Sequence, residues 1–301
     1  MTALEHHWPE YLMEAAELAL FMIAACVVVT ALEHPQSIAL RMLPDADERR
    51  VLTGMAMGLT AIGIIYSPWG RRSGAHFNPS VTLTFWRLGR VSAADAVFYI
   101  VAQFLGGIAG VHIAAVILGE SIAHPAVNYV ATSPGSGGVP LAFAAELGIS
   151  FLLMATVLAV SSHPRFARYT GIACGLLVAV YIAVEAPLSG MSMNPARSFG
   201  PALVAQVWEG MWVYFVAPPL GMLLAAEVYR RCRADTAGCA KLRHDAAVRC
   251  IFCSTSAFEE AEKATSPFDE LRANGGKADL KSPFSVRPEL EGRRESCNRG
   301  A

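Results

Sequence analysis

The chain has 301 residues, of which 54% are hydrophobic and only 16% are charged, well below the roughly one quarter of charged residues in an ordinary soluble domain. Residues 1–229 contain ten Arg and no Lys, whereas residues 230–301 hold the other fourteen basic residues, so the formal net charge of −1 averages two unlike segments. That charge indicates neither a nucleic-acid partner nor a preference for acidic substrates.

The first half of the chain contains three long apolar runs and one short run. Residues 11–31, 51–67 and 93–118 are long enough to cross a hydrocarbon layer of about 30 Å as helices. The short run, 78–88, begins at Asn-Pro and cannot span, so it predicts a re-entrant half-helix. Acidic residues and His precede the first run, which we expect to be a membrane span rather than a cleaved signal peptide.

The second half repeats this order, with long runs at 141–161, 170–186 and 211–229 and a second short Asn-Pro run at 194–204. The sequence Ala-Ala-Glu-Leu, centred on Glu17 and Glu146, occurs in the first run of each half. Because each repeat has three spans, an odd number, the second copy must be inverted relative to the first.

These elements predict an all-α membrane protein. Its six transmembrane helices and two re-entrant half-helices form inverted three-helix repeats, at about 11–118 and 141–229, within a channel domain of residues 1–229. If the spans alternate, nine arginines lie on one side of the membrane and three on the other, so the positive-inside rule places both termini in the cytoplasm. The nine are Arg71, Arg72, Arg87, Arg90, Arg165, Arg168, Arg230, Arg231 and Arg233, and the three are Arg41, Arg49 and Arg50.

The polar tail, 230–301, has too little apolar surface to offset the entropy of ordering, so we expect it to be disordered. Its stretch 266–275 resembles translated bacterial intergenic repeats, which indicates a bacterial inner (plasma) membrane protein whose tail has no role; a regulatory tail is the alternative. Five of the seven Cys lie in this tail. Cys250 and Cys253 form a CxxC without a second pair, which disfavours a metal or redox site. No metal and no cofactor are expected.

The two Asn-Pro pairs explain how the short runs begin as helices. Asn is a favoured N-cap and Pro is favoured at the first helical position, as at Asn78-Pro79 and Asn194-Pro195. An Asn that caps its own helix through Oδ1 keeps its NH₂ group as a donor. Two inverted half-helices would bring both amides and both positive dipole ends to mid-membrane, repelling cations and orienting a water molecule so that proton hopping is interrupted.

With two such boxes in register with six spans, residues 11–229 resemble the major intrinsic protein family, the aquaporins and glycerol facilitators. The resemblance implies a homotetramer in membrane lipid, with one passive pore per subunit for water and small neutral solutes. It implies that the central motifs are Asn78, Pro79, Ser80, Asn194, Pro195 and Ala196. It also implies that Arg197 lines the constriction near the outer mouth, and that Glu17 and Glu146 brace the re-entrant loops by accepting backbone N–H bonds. A proton relay is the alternative role for these two Glu.

Alignment to the boxes suggests further pore residues. Ile182, Met191 and Met57, or Gly58 in place of Met57, would form the constriction with Arg197, and His76 would have a pore-side hydrogen-bonding role rather than a pH gate. This wall is more apolar than that of strict water channels, so ammonia, hydrogen peroxide or small polyols are alternative solutes. Ser198 and Ala202 instead favour water, because glycerol facilitators carry charged residues at those places.

Three rival functions remain. An ion-coupled secondary transporter also uses inverted repeats, but the paired central groups here are neutral amides. A membrane enzyme would need a catalytic constellation, and no nucleophile-base set, paired His or phosphate loop is evident in the sequence. A junctional protein with a vestigial pore is disfavoured by intact Asn78, Asn194 and Arg197.

Overall fold

The computed structural model describes residues 3–232, 239–245 and 247–253. Within these ranges the chain is helical and contains no β-strand. Six long helices and two half-helices are present, as the sequence predicts, and three short α-helices and three 3-10 helices join them. The helices are α1 Ala3–Glu33, α2 Ile38–Met42, α3 Ala46–Tyr66, α4 Pro68–Ser73, α5 Pro79–Arg87, α6 Ala93–Leu118, α7 Gly138–Ser161, α8 Thr170–Val184, α9 Ala186–Ser189, α10 Pro195–Ala205 and α11 Met211–Cys232.

Five of the six long helices are long and apolar enough to cross a membrane, and the other long helix, α3, is not among those five. The first turns of α3 carry Asp47, Glu48, Arg49 and Arg50, which makes it more polar than the other five. Its N-terminus lies five residues before the predicted run because Asp45 caps it, accepting a hydrogen bond from the backbone N–H of Asp47 at 2.8 Å.

The six long helices pack as three main pairs: α1 with α6, α7 with α11, and α3 with α8. Glycines allow the close approach within the two repeat-related pairs. A Cβ atom on Gly106 of α6 would lie 2.1 Å from the carbonyl oxygen of Ala15 in α1, and one on Gly221 of α11 would lie 2.4 Å from that of Leu147 in α7. Small residues at such crossings are how membrane helices gain packing contacts.

The half-helices α5 and α10 both pack against α6 and α11. The start of α1 and the end of α11 lie on one side of the bundle, which we call the terminal face. The opposite side, where α1 ends and α3 begins, we call the distal face. On the distal face the buried Arg49 pairs with Glu33 at 3.1 Å.

Residues 239–245 and 247–253, here called the terminal segment, pack on the terminal face. The prediction that the tail is disordered is wrong for this segment: Ala240, Lys241 and Leu242 are buried, and the Leu242 N–H donates to the carbonyl oxygen of Gly74 at 3.0 Å. The helical bundle supplies the apolar surface that the tail itself lacks. Residues 254–301, with the repeat-like stretch 266–275, lie outside the described residues.

Two charged groups anchor the terminal segment. The Lys241 ammonium donates to the carbonyl oxygens of Arg71 at 2.8 Å and Arg249 at 2.6 Å, and burial lowers the pKa of Lys241. A hydrogen bond from the Ala247 N–H, together with Arg71, lowers the pKa of Asp245, which pairs with Arg71 at 3.3 Å. The segment is therefore held by polar contacts as well as by buried apolar residues.

Candidate functional site

The two half-helices begin at equivalent Asn caps. Asn78 has an extended backbone, and its Oδ1 accepts from the Ser80 N–H at 2.9 Å. Asn194 does the same at the start of α10, accepting from the N–H groups of Ala196 and Arg197, both at 3.1 Å. Pro79 and Pro195 occupy the first helical positions, where their missing N–H costs no hydrogen bond.

The two Asn amides cross from one half of the molecule to the other. Asn78 Nδ2 donates to the Met193 carbonyl oxygen at 2.7 Å, and Asn194 Nδ2 donates to that of Phe77 at 2.8 Å. The prediction that each NH₂ group is wholly free is therefore wrong, because one of its two hydrogens ties the half-helix starts together. Each amide keeps one hydrogen, and both Asn side chains line the same cavity.

The loops that lead into the half-helices share an uncommon backbone. Ala75 and Phe77 before α5, and Met191 and Met193 before α10, all have φ between 30° and 56°. Non-glycine residues rarely adopt this left-handed region, at a cost on the order of 1 kcal/mol each. The repeat symmetry therefore extends to the loop conformation, and other contacts must stabilise it.

Glu146 of α7 provides those contacts in the second repeat. Its Oε1 accepts from the Ser192 N–H at 2.6 Å and the Ser189 hydroxyl at 2.7 Å, and its Oε2 accepts from the Met193 N–H at 2.7 Å. Glu146 is fully buried. These contacts are those of a brace for the strained loop.

In the first repeat the brace is Glu14, not the predicted Glu17. Glu14 Oε1 accepts from the His76 N–H at 2.8 Å, and Oε2 accepts from the Phe77 N–H at 2.7 Å. Glu17 accepts only from the Ser73 hydroxyl, at 2.7 Å, among the contacts in the described chain. The assignment of Glu17 as the backbone acceptor is wrong by three residues, about one helical turn.

The two Asn side chains line a cavity of about 370 Å³. Its wall is mostly apolar and includes stripes of residues four apart, on α3 at Met57, Ala61 and Ile65, because positions i and i+4 lie on one face of a helix. The stripe on α8 is Cys174, Val178 and Ile182. The cavity extends from Glu33 and Arg50 on the distal face to Leu242 of the terminal segment.

The four residues predicted for the constriction, Met57, Ile182, Met191 and Arg197, all line this cavity. The alternative Gly58 does not, because it faces α8: a Cβ atom there would lie 2.5 Å from the Gly175 carbonyl oxygen. Arg197 Nη1 donates to the hydroxyl of Thr132 in the loop between α6 and α7. The guanidinium is thus held beside the cavity with donors to spare.

His76 is buried and also lines the cavity. Its Nε2 lies 2.8 Å from the Ala240 carbonyl oxygen, and its Nδ1 lies 3.1 Å from Thr82 Oγ1. Since a carbonyl only accepts, Nε2 carries the proton and the Nδ1 of a neutral ring accepts from the hydroxyl. The ring therefore contacts the terminal segment as well as the pore wall.

Comparison with known proteins gives the family. Residues 3–229 match the family model described as "Major intrinsic protein". The chain belongs to this family. Proteins of the family are membrane channels rather than enzymes, and the chain is accordingly an integral membrane protein.

Individual relatives agree with the family model. The chain is 40% identical over 177 residues to a probable NIP-type aquaporin of Nicotiana alata, covering 58% of this chain and 63% of that protein. It is 34% identical over 183 residues to probable aquaporin NIP7-1 of Arabidopsis thaliana, covering 60% and 64%. The chain thus matches just under two thirds of the length of these curated relatives.

The fold has a solved neighbour. The X-ray structure of the aquaglyceroporin from Plasmodium falciparum matches with a TM-score of 0.60 and 19% identity, covering 74% of this chain and 95% of that one. At this identity the likeness shows the fold alone. It agrees with six spans and two half-helices in this major intrinsic protein.

The two boxes differ in how their third residue packs. Ala196 is fully buried against α6, where a Cβ atom on Gly107 would lie 2.7 Å from the Ala196 carbonyl oxygen. Ser80, at the equivalent place, is also fully buried, and its Oγ has no hydrogen-bond partner within the described ranges. The hydroxyl adds a buried polar group to a position where this major intrinsic protein needs only a small residue.

Sequence reasoning missed several residues of the site. Glu14 was visible as a second acidic residue on the helix face of Glu17, but the Ala-Ala-Glu-Leu repeat favoured Glu17. Thr132 lies in a loop without a motif, and Leu242 lies in the tail. The apolar wall did carry a signal, since the stripes on α3 and α8 follow from their i, i+4, i+8 spacing.

Proposed function

We propose that this chain is a passive membrane channel for water and small neutral solutes that excludes protons and ions. The observation that carries this proposal is that the N-termini of the two half-helices meet. Asn78 and Asn194 each donate a hydrogen bond to the loop of the other half, and both side chains line one cavity. No catalytic reaction, cofactor or nucleic acid has a part in the proposal.

Ion exclusion follows from fixed positive charge. Each half-helix directs the positive end of its dipole, equivalent to about half an elementary charge, toward the meeting point. The remaining amide hydrogen of each Asn offers a donor to the lone pairs of a water molecule there, so its own hydrogens point along the cavity. Arg197 adds a full charge beside the same cavity. A cation meets repulsion twice, and a proton finds its hydrogen-bond chain interrupted.

Solute choice follows from the wall. Met57, Ile182 and Met191 present apolar surface at the places predicted to form the constriction with Arg197. Water is the solute that we propose first. Glycerol or another small polyol, ammonia and hydrogen peroxide are the alternatives that this apolar wall favours, and the aquaporin names of the plant relatives do not decide among them.

We further propose that the terminal face is cytoplasmic and that the channel is a homotetramer in membrane lipid. The arginine asymmetry supports the orientation. Large apolar side chains exposed on the outer surfaces of several helices support contact with lipid or with other subunits, among them Leu12, Leu59, Leu105, Val116 and Leu152. A bacterial inner membrane, expected from the tail sequence, gains no support from the relatives, which are plant proteins.

Stopped-flow light scattering on proteoliposomes tests the function. Wild type should exceed protein-free liposomes in water permeability, without dependence on a proton or sodium gradient, which separates a channel from an ion-coupled transporter. Arg197→Ala should broaden passage to larger or charged solutes, and Ile182→His should narrow it. Arg41→Ala, a change of an exposed arginine on the distal face, is the control. Wild-type flux equal to that of empty liposomes for water, glycerol and ammonia, measured with a metal chelator present, would refute the channel.

A further inference from the structure

Four potential metal ligands converge in the terminal segment. The Sγ atoms of Cys239, Cys250 and Cys253 and the ring of His244 all lie within 4.8 Å of one another. The Cys239 and Cys250 sulfurs are 3.3 Å apart, those of Cys253 and Cys239 are 3.8 Å apart, and His244 Nε2 is 3.2 Å from the Cys253 sulfur. Ligands of a tetrahedral zinc ion are separated by about 3.5–3.8 Å, so the cluster has the required size.

The donor set selects the kind of metal. Three thiolates and one imidazole, with Cys250 and Cys253 in a CxxC, are a known structural zinc combination and suit soft or borderline cations, not magnesium or calcium. The sulfur–sulfur distances of 3.3 and 3.8 Å are far longer than the roughly 2.05 Å of a disulfide. The CxxC that appeared unpaired in the sequence has its other two ligands at Cys239 and His244.

Groups around the cluster fit a metal–thiolate centre. The Lys241 N–H donates to the Cys239 sulfur at 3.4 Å. An N–H donor of this kind orients and stabilises a thiolate ligand. A divalent ion with three thiolates and a neutral imidazole has a net charge of −1. The buried Lys241 ammonium provides a compensating positive charge within the same segment.

The cluster also has a route for the ion. A cavity of about 480 Å³ is lined by Cys239, His244 and Cys253, together with Ser161 and Ala167 of the bundle. His244 is exposed. An ion can therefore enter and leave without unfolding of the helices, as an exchangeable site requires.

The same segment covers the end of the pore cavity. Leu242 lines the pore cavity, and its neighbour Ala240 accepts a hydrogen bond from His76. Phe252 stacks on His76 with ring centroids 5.5 Å apart and planes 8° apart. Because the ligands Cys239 and His244 flank Ala240 and Leu242 in sequence, an ion that fixes the ligands also fixes the covering residues.

We propose that Cys239, His244, Cys250 and Cys253 bind one zinc-type divalent ion, which locks the terminal segment over the cytoplasmic mouth of the pore and lowers its permeability. Binding displaces the thiol protons to solvent and involves no change of oxidation state. The metal site stands on the cluster alone, whereas its effect on permeability rests on the proposed channel function.

Cobalt(II) titration of the full-length, metal-free protein in detergent tests the site. One equivalent should give the intense visible bands of tetrahedral cobalt with thiolate ligands, and one equivalent of Zn²⁺ should displace it. Cys250→Ser and His244→Ala should weaken binding by at least about 100-fold, since even changes outside the ligand shell cost 10–100-fold. Cys232→Ser, which changes an exposed cysteine outside the cluster, should bind as wild type.

His244→Ala alters an exposed side chain, so circular dichroism should show the wild-type helix content for it, and its loss of binding then reports the ligand. Three outcomes overturn the site: a tetrahedral spectrum that persists in both ligand variants, an octahedral cobalt spectrum, or a disulfide within the cluster that persists in protein purified under reducing conditions.

Permeability measurements test the lock. Removing metal from wild-type proteoliposomes with a chelator should raise water permeability several-fold, to the level of Cys250→Ser, and added Zn²⁺ should reverse the rise in wild type but not in the variant. Equal wild-type permeability with and without Zn²⁺, alongside an intact cobalt spectrum, overturns the lock. If wild type and Cys250→Ser both show only the permeability of empty liposomes, the channel function and the lock are refuted together. The metal site is then judged by the cobalt titration alone.

Discussion

Replacing Glu146 by Gln tests whether this residue braces the loop before α10 or relays protons. The carboxylate accepts three hydrogen bonds, from Ser189, Ser192 and Met193. A Gln at this position has one acceptor oxygen and keeps at most the two bonds to Oε1. The Met193 N–H then faces an NH₂ group and is left unsatisfied in a fully buried site, at about 1–3 kcal/mol.

The two bonds that remain also weaken. Hydrogen bonds to a charged group contribute about 1.5–3 kcal/mol and neutral ones about 0.5–1.5, so each loses about 1 kcal/mol. The sum predicts that Glu146→Gln lowers the free energy of unfolding by roughly 3–5 kcal/mol. Because Asn194 directly follows Met193, permeability should fall as well, through the changed position of its amide.

Equilibrium unfolding in a mixed-detergent titration measures the free energy, and stopped-flow scattering measures permeability. Glu120→Gln changes an exposed carboxylate on the distal face and should alter neither. A Glu146→Gln protein within 1 kcal/mol of wild type that nevertheless loses proton-linked transport would refute the brace and favour the relay.

Two further changes test packing. Ser80→Ala should raise the free energy of unfolding by about 1 kcal/mol, because it removes a buried hydroxyl without a described partner. The control Ser92→Ala, which removes the cap of α6, should lower the free energy of unfolding by a similar amount. A change of the same sign in both variants, measured by chemical unfolding, would contradict this reasoning. Gly106→Ala should destabilise the protein by roughly 1–3 kcal/mol, because its Cβ would lie 2.1 Å from the Ala15 carbonyl oxygen. Gly63→Ala, where a Cβ meets nothing within 4 Å, should be neutral or stabilising in the same chemical unfolding assay. Similar losses of stability in both glycine variants would exclude a steric cause.

The architecture was predictable because its determinants are local. Apolar length fixes a span, and Asn followed by Pro fixes a helix start, so each element could be assigned from a few neighbouring residues. The crossing of the Asn amides was not predictable, since it depends on how closely the loops at Phe77 and Met193 approach. That distance is set by how the helices pack, which cannot be predicted from a single sequence.

The choice between Glu14 and Glu17 failed for a geometric reason. Residues three apart in a helix lie on the same face, one turn from each other. Both carboxylates therefore point toward the loop before α5, and they divide its donors: Glu14 accepts from two backbone N–H groups and Glu17 from the Ser73 hydroxyl. A four-letter repeat selected Glu17, although the backbone contacts of Glu146 correspond to those of Glu14.

The terminal segment shows a different limit. Composition averaged over the whole tail, 230–301, is polar and predicts disorder. That average hides the stretch 239–253, in which ten of the fifteen residues are hydrophobic. Their order comes from surfaces supplied by the bundle, at His76 and Gly74, and from a cluster whose members are spread over fifteen positions. Neither contribution appears in a local window of sequence.

The two repeats are alike in the caps and braces of their half-helices and unlike at the residue two positions before each Asn. The Asn caps, the left-handed loop residues and the Glu braces occur in both. In the distal loop, Ser192 closes its hydrogen bonds locally, on the Asn194 carbonyl oxygen and Ser198. At the equivalent place in the other loop, His76 reaches outward to Ala240. Because His76 of this loop contacts the terminal segment, control of the proposed pore from outside the bundle would act at the terminal face.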